Sequence, residues 1–299
     1  MGAAFARGEL VTLGAEGLVA SWDVPSGEEH ANAWVHEKSP CGSSGLAVAA
    51  GRVAAGGAVW KPGGAGFEKL AEVPGEVAAT ALAVDALIVS SWPPGRGLRR
   101  GPMECCGTGP VAGRADPAAT ITTFEVRTGA TRWRLDAFAC TPASDGVRVA
   151  AGGRDGSLVL LDATTGASLR TLAPLRGPVR ALTFSPDAQS LAAAADEPVI
   201  IIYSMADTGK QILKTTSPPR SIAFSRDGAL LAAGGEDGVV SLWELTGRLN
   251  GELKQGSSRA TLPALRGTVS AVAFSADGAW LASGTAAFGG ARLTHLPNR

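Results

Sequence analysis

Residues able to do catalytic or metal chemistry are sparse in this chain of 299 residues. The histidines His30, His36 and His295 are far apart, so they form neither an HExxH motif nor a His-Cys zinc spacing. Gly209-Lys210 lacks the preceding glycine and the following Ser or Thr of a phosphate-binding loop. No Gly-x-Ser-x-Gly elbow with a later Asp and His can be assembled. The sequence therefore predicts no catalytic residue, no cofactor and no metal site.

Adjacent Cys105 and Cys106 are the remaining reactive candidates. They lie in the segment 93–118 near Arg99 and Arg100, and neighbouring positive charge favours the reactive thiolate. The pair is either a reactive dithiol or two exposed, loosely packed cysteines. The second interpretation is the favoured one.

Seven arginines form the candidate partner-binding set, and they are Arg99, Arg100, Arg176, Arg180, Arg220, Arg266 and Arg292. A guanidinium is planar and always charged, and it binds a carboxylate or a phosphate through two parallel hydrogen bonds. The set predicts a cationic surface for an acidic peptide or a phosphate. Ordinary solvated turn residues are the alternative.

Tandem repeats supply the elements that position these arginines. Residues 181–187 read ALTFSPD, residues 221–228 read SIAFSRDG, and residues 271–278 read AVAFSADG. Phe184 and Phe224 are 40 residues apart, and Phe224 and Phe274 are 50 apart, a period typical of propellers and solenoids. Because the apolar runs are short and end at Asp-Gly or Pro-Asp turns, they predict antiparallel strands rather than helices.

The repeats resemble the WD40 (WD-repeat) β-propeller family, whose blade is a four-stranded sheet. The resemblance is best at residues 153–162 (GRDGSLVLLD) and 235–244 (GEDGVVSLWE), and Trp22-Asp23 is a literal Trp-Asp pair. Family members often carry Gly-His before the innermost strand, where this chain has Arg176-Gly177 and Ser217-Pro218. We therefore expect the family's His-based hydrogen-bond network to be incomplete and the blades to rely more on packing.

The expected architecture is all-β, a seven-bladed WD40-type propeller formed by residues 1–299 as a single domain, because seven units of about 43 residues use the whole chain. Six or eight blades remain alternatives, since the second and third units are degenerate. Residues 93–118 contain six glycines and five prolines and are expected to be a loop insertion, and residues 248–260 a shorter one. The residues that close the third strands are Trp22, Trp60, Phe124, Leu161, Tyr203, Trp243 and Leu293.

Acidic residues recur where the second and third strands of a blade would meet, at Glu16, Asp155, Glu197 and Asp237. Such side chains accept hydrogen bonds from backbone amides in tight turns. Turn formation is the favoured interpretation, and a ring of carboxylates for a metal is the alternative.

Composition restricts the cellular context. With 27 basic and 27 acidic residues the net charge is zero, which argues against general nucleic-acid or anionic-membrane binding, although local patches leave nucleic acid open. No apolar run is long enough to insert into a membrane. Four cysteines without framework spacing and the lack of Asn-x-Ser/Thr sites favour an intracellular protein, cytoplasmic or nuclear.

The family resemblance implies a function in protein–protein interaction. It predicts a non-catalytic scaffold that is a subunit of a multi-protein complex, with Arg176, Arg180, Arg220 and Arg266 on the rim of one face around the central channel. The alternative is a propeller enzyme, of the hydrolase or quinone-dependent dehydrogenase type, with a site at the channel mouth. The scarcity of histidine counts against the enzyme.

The last blade is expected to have only three strands. Met1-Gly2-Ala3 leaves no room for a strand before the first blade, and Arg299 follows directly on the third strand of the seventh. An unpaired strand edge at 291–296 is a template for another chain, so a partner segment could add the fourth strand. A simply open edge, or a sequence truncated at one end, is the alternative.

Overall fold

The computed structural model describes residues 2–6, 9–13, 18–24, 26, 28–34, 46–49, 51–55, 57–63, 66–72, 77–82, 85–91, 120–136, 139–245, 248–249, 252–253, 257–285 and 291–296. All regular elements among these residues are β-strands. The part of the chain that is described contains no helix able to cross a membrane.

Seven antiparallel sheets are the blades of a propeller, and in each sheet the strands are paired in chain order. Blade 1 contains β1 (Gly2–Ala6), β2 (Glu9–Leu13), β3 (Leu18–Trp22) and β4 (Glu29–Trp34). Blade 2 contains β5 (Ala47–Ala49), β6 (Arg52–Ala55), β7 (Ala58–Gly63) and β8 (Gly66–Glu72). Blade 3 contains β9 (Val77–Leu82), β10 (Ala86–Ser91), β11 (Thr120–Glu125) and β12 (Thr131–Asp136).

The second half of the ring contains the clearest repeats. Blade 4 contains β13 (Ala139–Ser144), β14 (Arg148–Gly153), β15 (Leu158–Asp162) and β16 (Ser168–Leu172). Blade 5 contains β17 (Ala181–Phe184), β18 (Ser190–Ala194), β19 (Val199–Ser204) and β20 (Lys210–Lys214). Blade 6 contains β21 (Pro219–Phe224), β22 (Leu230–Gly235), β23 (Val240–Glu244) and β26 (Ser257–Leu262), with a separate hairpin of β24 (Arg248–Leu249) and β25 (Glu252–Leu253). Blade 7 contains β27 (Val269–Phe274), β28 (Trp280–Thr285) and β29 (Ala291–His295).

The first strands of the blades contact one another around the axis and close the ring. β1 contacts both β5 and β27, and the series continues through β9, β13, β17 and β21. The seven-bladed architecture and the three-stranded last blade predicted from the sequence are therefore confirmed.

The hydrophobic core lies between neighbouring blades. One cluster joins Leu172 of β16 to Phe184, Leu191 and Tyr203 of blade 5, and the next joins Leu213 of β20 to Trp243 of blade 6. Second strands are rich in alanine and glycine because the blades approach closely there: a Cβ on Gly234 would stand 2.4 Å from Cγ1 of Val269 in the next blade. The clusters that join Leu172 to Tyr203 and Leu213 to Trp243 also show that the fourth strand of one blade covers the third strand of the next.

The two predicted insertions have different outcomes. Residues 93–118 lie outside the described residues, between the paired strand ends Ser91 and Thr120. In the second insertion the structure differs from the prediction, because Ser257–Leu262 is the fourth strand of blade 6 rather than part of a loop. The extra residues of that unit contain the hairpin of β24 and β25 instead.

A serine–aspartate turn joins the first and second strands in three blades. Ser185, Ser225 and Ser275 each donate from the hydroxyl to the aspartate two residues later and accept the amide that begins the second strand. Blades 6 and 7 have Gly228 and Gly278 at the left-handed position of this turn, whereas blade 5 has Ala188 with φ of 57°. The same local chemistry therefore sets the first hairpin of each of these blades.

Candidate partner-binding surface

The upper face is the end of the ring that carries the turns between second and third strands and the loops that enter each blade. It contains the turns at 154–156, 196–198 and 236–238 and the loops at 173–180, 215–218 and 263–268. Leu175 donates its amide to the carbonyl of Gly156 at 3.0 Å, and Leu265 donates to Gly238 at 2.9 Å. Each of these loops is thus fixed on a turn of the preceding blade.

Two glycines permit this close contact. A Cβ on Gly156 would stand 2.1 Å from the carbonyl oxygen of Leu175, and one on Gly238 would stand 2.1 Å from that of Leu265. Both glycines also have positive φ, at 85° and 81°, which glycine adopts without steric cost. The loops that carry Arg176 and Arg266 are therefore held against the ring at equivalent places in blades 5 and 7.

Arg180 and Arg220 take part in a relay of ion pairs within the upper face. Nε and Nη2 of Arg180 donate to the two carboxylate oxygens of Asp196 at 2.7 and 2.8 Å. Nη1 of Arg220 donates to Asp196 at 2.9 Å, and its Nε donates to Glu236 at 2.7 Å. The relay Arg180–Asp196–Arg220–Glu236 therefore links blade 5 to blade 6.

The relay side chains are buried at the Arg180 end and accessible to solvent at the Glu236 end. Arg180 is 8% exposed, Arg220 19%, Asp196 28% and Glu236 40%. Arg180 and Arg220 belong to the predicted partner-binding set, and in the structure both guanidiniums are engaged inside the protein. Their first role is to hold neighbouring turns in place.

The relay determines the ionisation of Asp196. Burial raises the pKa of its carboxyl, but the hydrogen bond from Arg180 and the charges of Arg180 and Arg220 outweigh burial and hold the pKa below its ordinary value. Asp196 therefore remains ionised at neutral pH and pairs with both arginines.

Arg176 and Arg266 are the accessible arginines of this face. The side chain of Arg176 is 89% exposed and has only a 3.8 Å contact with Glu197. Arg266 is exposed as well, and no ion pair joins it to any residue within the described ranges. Gly177 and Gly267 follow them with φ of 85° and 88°, so both arginines occupy the same bend.

The other members of the arginine set are placed elsewhere. Nη1 of Arg292 donates to the carbonyl oxygen of Pro263 at 2.6 Å, which ties β29 to the loop between blades 6 and 7. Arg99 and Arg100 lie outside the described residues, as do Cys105 and Cys106. The structure thus brings Arg176, Arg180, Arg220 and Arg266 to one face, and Arg292 contacts the 263–268 loop of that face through Pro263.

Two of the four acidic turn residues, Asp155 and Asp237, have the backbone-binding role expected of them. Asp155 accepts the amide of Ser157 at 3.0 Å, and Asp237 accepts the amide of Val239 at 3.0 Å. Hydrogen bonds from Ser157 outweigh burial and lower the pKa of Asp155. Within the residues that the structure describes, no group of His, Cys, Asp or Glu is arranged to hold a metal ion. Glu16 lies outside those residues.

Two hydroxyl side chains fix the loop that enters blade 6. The hydroxyl of Thr216 donates to Asp237 at 2.7 Å, and the hydroxyl of Ser217 accepts the amide of Asp237 at 3.3 Å. In blade 1 the indole of Trp22 donates to the hydroxyl of Thr12 at 2.8 Å. The packing on which the blades are expected to rely more is therefore accompanied by polar contacts, which fix the entry loop of blade 6.

Comparison with known proteins identifies the repeats. The family model for the WD domain, G-beta repeat (WD40) matches residues 210–244 and 256–287. No curated protein gives a significant match. A chain in the crystal structure of the mitotic checkpoint complex is similar over 99% of this chain and 90% of its own length, with a TM-score of 0.73 and 16% identity, which shows a shared fold. Two WD40 repeats thus lie within a ring of seven antiparallel sheets, which is the architecture of a WD40-type β-propeller.

Proposed function

We propose that this propeller is a non-catalytic scaffold that binds other proteins as a subunit of a multi-protein complex. The observation that carries the proposal is the contrast between the arginines of the upper face. Arg180 and Arg220 are neutralised inside the protein, whereas Arg176 and Arg266 are exposed on loops fixed by Gly156 and Gly238. A rigid surface with available positive charge suits recognition.

The chemistry of these arginines indicates the kind of partner. An exposed guanidinium can form two parallel hydrogen bonds to a carboxylate or a phosphate, and a fixed loop loses little conformational freedom on binding. We infer that the partner presents an acidic or phosphorylated segment to Arg176 and Arg266. Glu236, at the exposed end of the relay, disfavours a second acidic group beside it.

The similarity to a chain of the mitotic checkpoint complex supports membership of an assembly as the general role. The proposal also keeps the scaffold inside the cell, in the cytoplasm or nucleus. The intracellular location is supported by the cysteine spacing and by the lack of Asn-x-Ser/Thr sites in the sequence.

Copurification tests the scaffold role. The tagged full-length protein would be expressed in its own cells and isolated at physiological salt, and the bound proteins would be identified and quantified by mass spectrometry. We expect at least one protein in a constant molar ratio to the propeller. A propeller recovered alone at every salt concentration would contradict the proposal.

A further inference from the structure

The outer edge of β29 differs from the corresponding edge of every other blade. Six blades have a fourth strand hydrogen-bonded to the third, whereas blade 7 has three strands among the described residues. The third strands β15 and β23 have mostly buried residues, while all five residues of β29 are exposed or half-buried. Among the residues that the structure describes, β29 is thus a third strand without the cover that the other blades have.

Trp22 of blade 1 is the side chain that a fourth strand of blade 7 would cover. It occupies the position of Tyr203 and Trp243, because Leu10 pairs with Trp22 as Leu191 pairs with Tyr203 and Leu231 with Trp243. Tyr203 and Trp243 are each 4% exposed under the fourth strand of the preceding blade. Trp22 is half-buried, and the blade that precedes it in the ring is blade 7.

The complete blades show which side chain fills this place. Their fourth strands carry Leu172, Leu213 and Leu262, which pair with Leu158, Ile200 and Val240 respectively. Leu172 packs in one cluster with Tyr203, and Leu213 in one with Trp243. The corresponding position of β29 is Ala291, since Gly284 pairs with Ala291 as Gly234 pairs with Val240. A leucine opposite Ala291 would therefore reach the side of Trp22.

The backbone of β29 offers hydrogen bonds on this edge. Leu296 donates its amide to the carbonyl of Ala279, so these two residues are a hydrogen-bonded pair of the ladder. Every second pair of the register is of the same kind, which makes Leu281↔Thr294 and Ser283↔Arg292 the next hydrogen-bonded pairs. In an antiparallel ladder the intervening residues direct their amides and carbonyls to the other side. Ala291, Leu293 and His295 therefore present donors and acceptors along an edge the length of β16 or β20.

We propose that this edge is a docking site for an extended segment of a partner protein, which pairs antiparallel with β29 and places a leucine opposite Ala291 beside Trp22. Main-chain hydrogen bonds supply affinity, and the leucine position supplies specificity. The site extends the proposed scaffold function, on which its biological use rests, but it is separate from the arginines of the upper face.

The probe is a capped synthetic peptide with the sequence of β26, Ser257–Leu262, which is a fourth strand of this chain. Its matched control carries Leu262→Asp. Hydrogen exchange of the Leu293 and His295 amides is measured on the full-length protein. At a peptide concentration ten times its Kd, exchange should slow about tenfold with the β26 peptide and remain unchanged with the control.

A protein variant tests the edge itself. His295→Pro removes one outward amide and leaves the amides that face β28 in place, so it should abolish peptide protection at Leu293 without unfolding the ring. Unchanged exchange with the β26 peptide, equal effects of both peptides, or undiminished binding to His295→Pro would overturn the proposal. The proposal would also be overturned if the Leu293 and His295 amides were protected in the free protein and the protein had the mass of a dimer. A second copy of the chain would then occupy the edge.

This test does not depend on the scaffold proposal. The double variant Arg176→Glu/Arg266→Glu should bind the β26 peptide like the wild type, since no hydrogen bond or ion pair joins either arginine to β29 among the described residues. A loss of peptide binding in this variant would overturn the assignment to β29. A propeller that binds the peptide but copurifies with no protein would contradict the scaffold function alone.

Discussion

Replacing Asp196 with asparagine removes one charge from the relay and keeps the shape of the side chain. Arg180 then loses the ion pair and one of its two hydrogen bonds, because an amide has a single acceptor oxygen, and its side chain is only 8% exposed, so water cannot fully replace them. Arg220 keeps its hydrogen bond to Glu236. The loss therefore falls mainly on Arg180 and on the junction between blades 5 and 6.

The exposure of Asp196 sets the size of the effect. Breaking a buried pair costs about 3–5 kcal/mol, whereas an exposed pair contributes about 0.2–1 kcal/mol. Because Asp196 is 28% exposed, the relay lies between these limits. We expect Asp196→Asn to lower the free energy of unfolding at pH 7 by about 2 kcal/mol. The matched control Glu236→Gln, at the 40% exposed end, should cost about 0.5 kcal/mol.

Urea unfolding followed by tryptophan fluorescence measures both variants across pH. The folded-state pKa of Asp196 is lowered, so its stabilisation is present above the unfolded-state pKa of about 3.9 and is lost as pH falls through the folded-state value. The difference between wild type and Asp196→Asn should be constant above about pH 5 and shrink below about pH 4. A cost no larger than that of Glu236→Gln, or a difference that persists in acid, would refute the reasoning.

Three further predictions concern single residues. Gly238→Ala should lower the free energy of unfolding by about 3 kcal/mol in urea, because the added Cβ meets the carbonyl of Leu265. The control Gly129→Ala, with φ of 70° and open space around the Cβ, should lower it by about 1 kcal/mol. Equal costs would contradict the loop contact. Ala188→Gly should stabilise the protein by about 0.5 kcal/mol and Gly228→Ala should destabilise it by about 1 kcal/mol, since both positions have positive φ; a destabilising Ala188→Gly would disprove the strain. Tyr203 is the chain's single tyrosine, and burial raises its pKa to about 12, so ultraviolet absorbance should show phenolate formation near that pH, and a midpoint near 10 would contradict its burial.

The repeated strands could be predicted because their pattern is local. Phe184, Phe224 and Phe274 mark three first strands, and the turn after each is specified by its own Ser and Asp. The exact register of a strand was harder to predict from the sequence. Leu293 was predicted to close the third strand of blade 7, but Thr294 occupies that position, opposite Leu281. The strand Ser257–Leu262 was missed because its glycine- and serine-rich approach resembles a loop.

The roles of the arginines depended on contacts between distant residues. The sequence predicts that four of them lie on one face, because they lie at or just before first strands. It did not distinguish Arg180 from Arg176, since pairing depends on an acid across a hairpin. One signal was available: Arg180 precedes Asp196 by 16 residues, and Arg220 precedes Glu236 by the same number. A charge pair conserved in spacing between two repeats indicates a structural contact.

The affinity of the copurified partner for two charge-reversed propellers tests the central claim most directly. Arg176→Glu/Arg266→Glu changes the accessible arginines, and Arg226→Glu changes an exposed arginine in the serine–aspartate turn of blade 6, at the opposite end of the ring. Losing two bidentate pairs should weaken binding of an acidic or phosphorylated partner at least about tenfold, with unfolding unchanged, while Arg226→Glu should bind normally. Equal affinity of all three proteins for the partner would contradict the claim that the upper face is the docking surface.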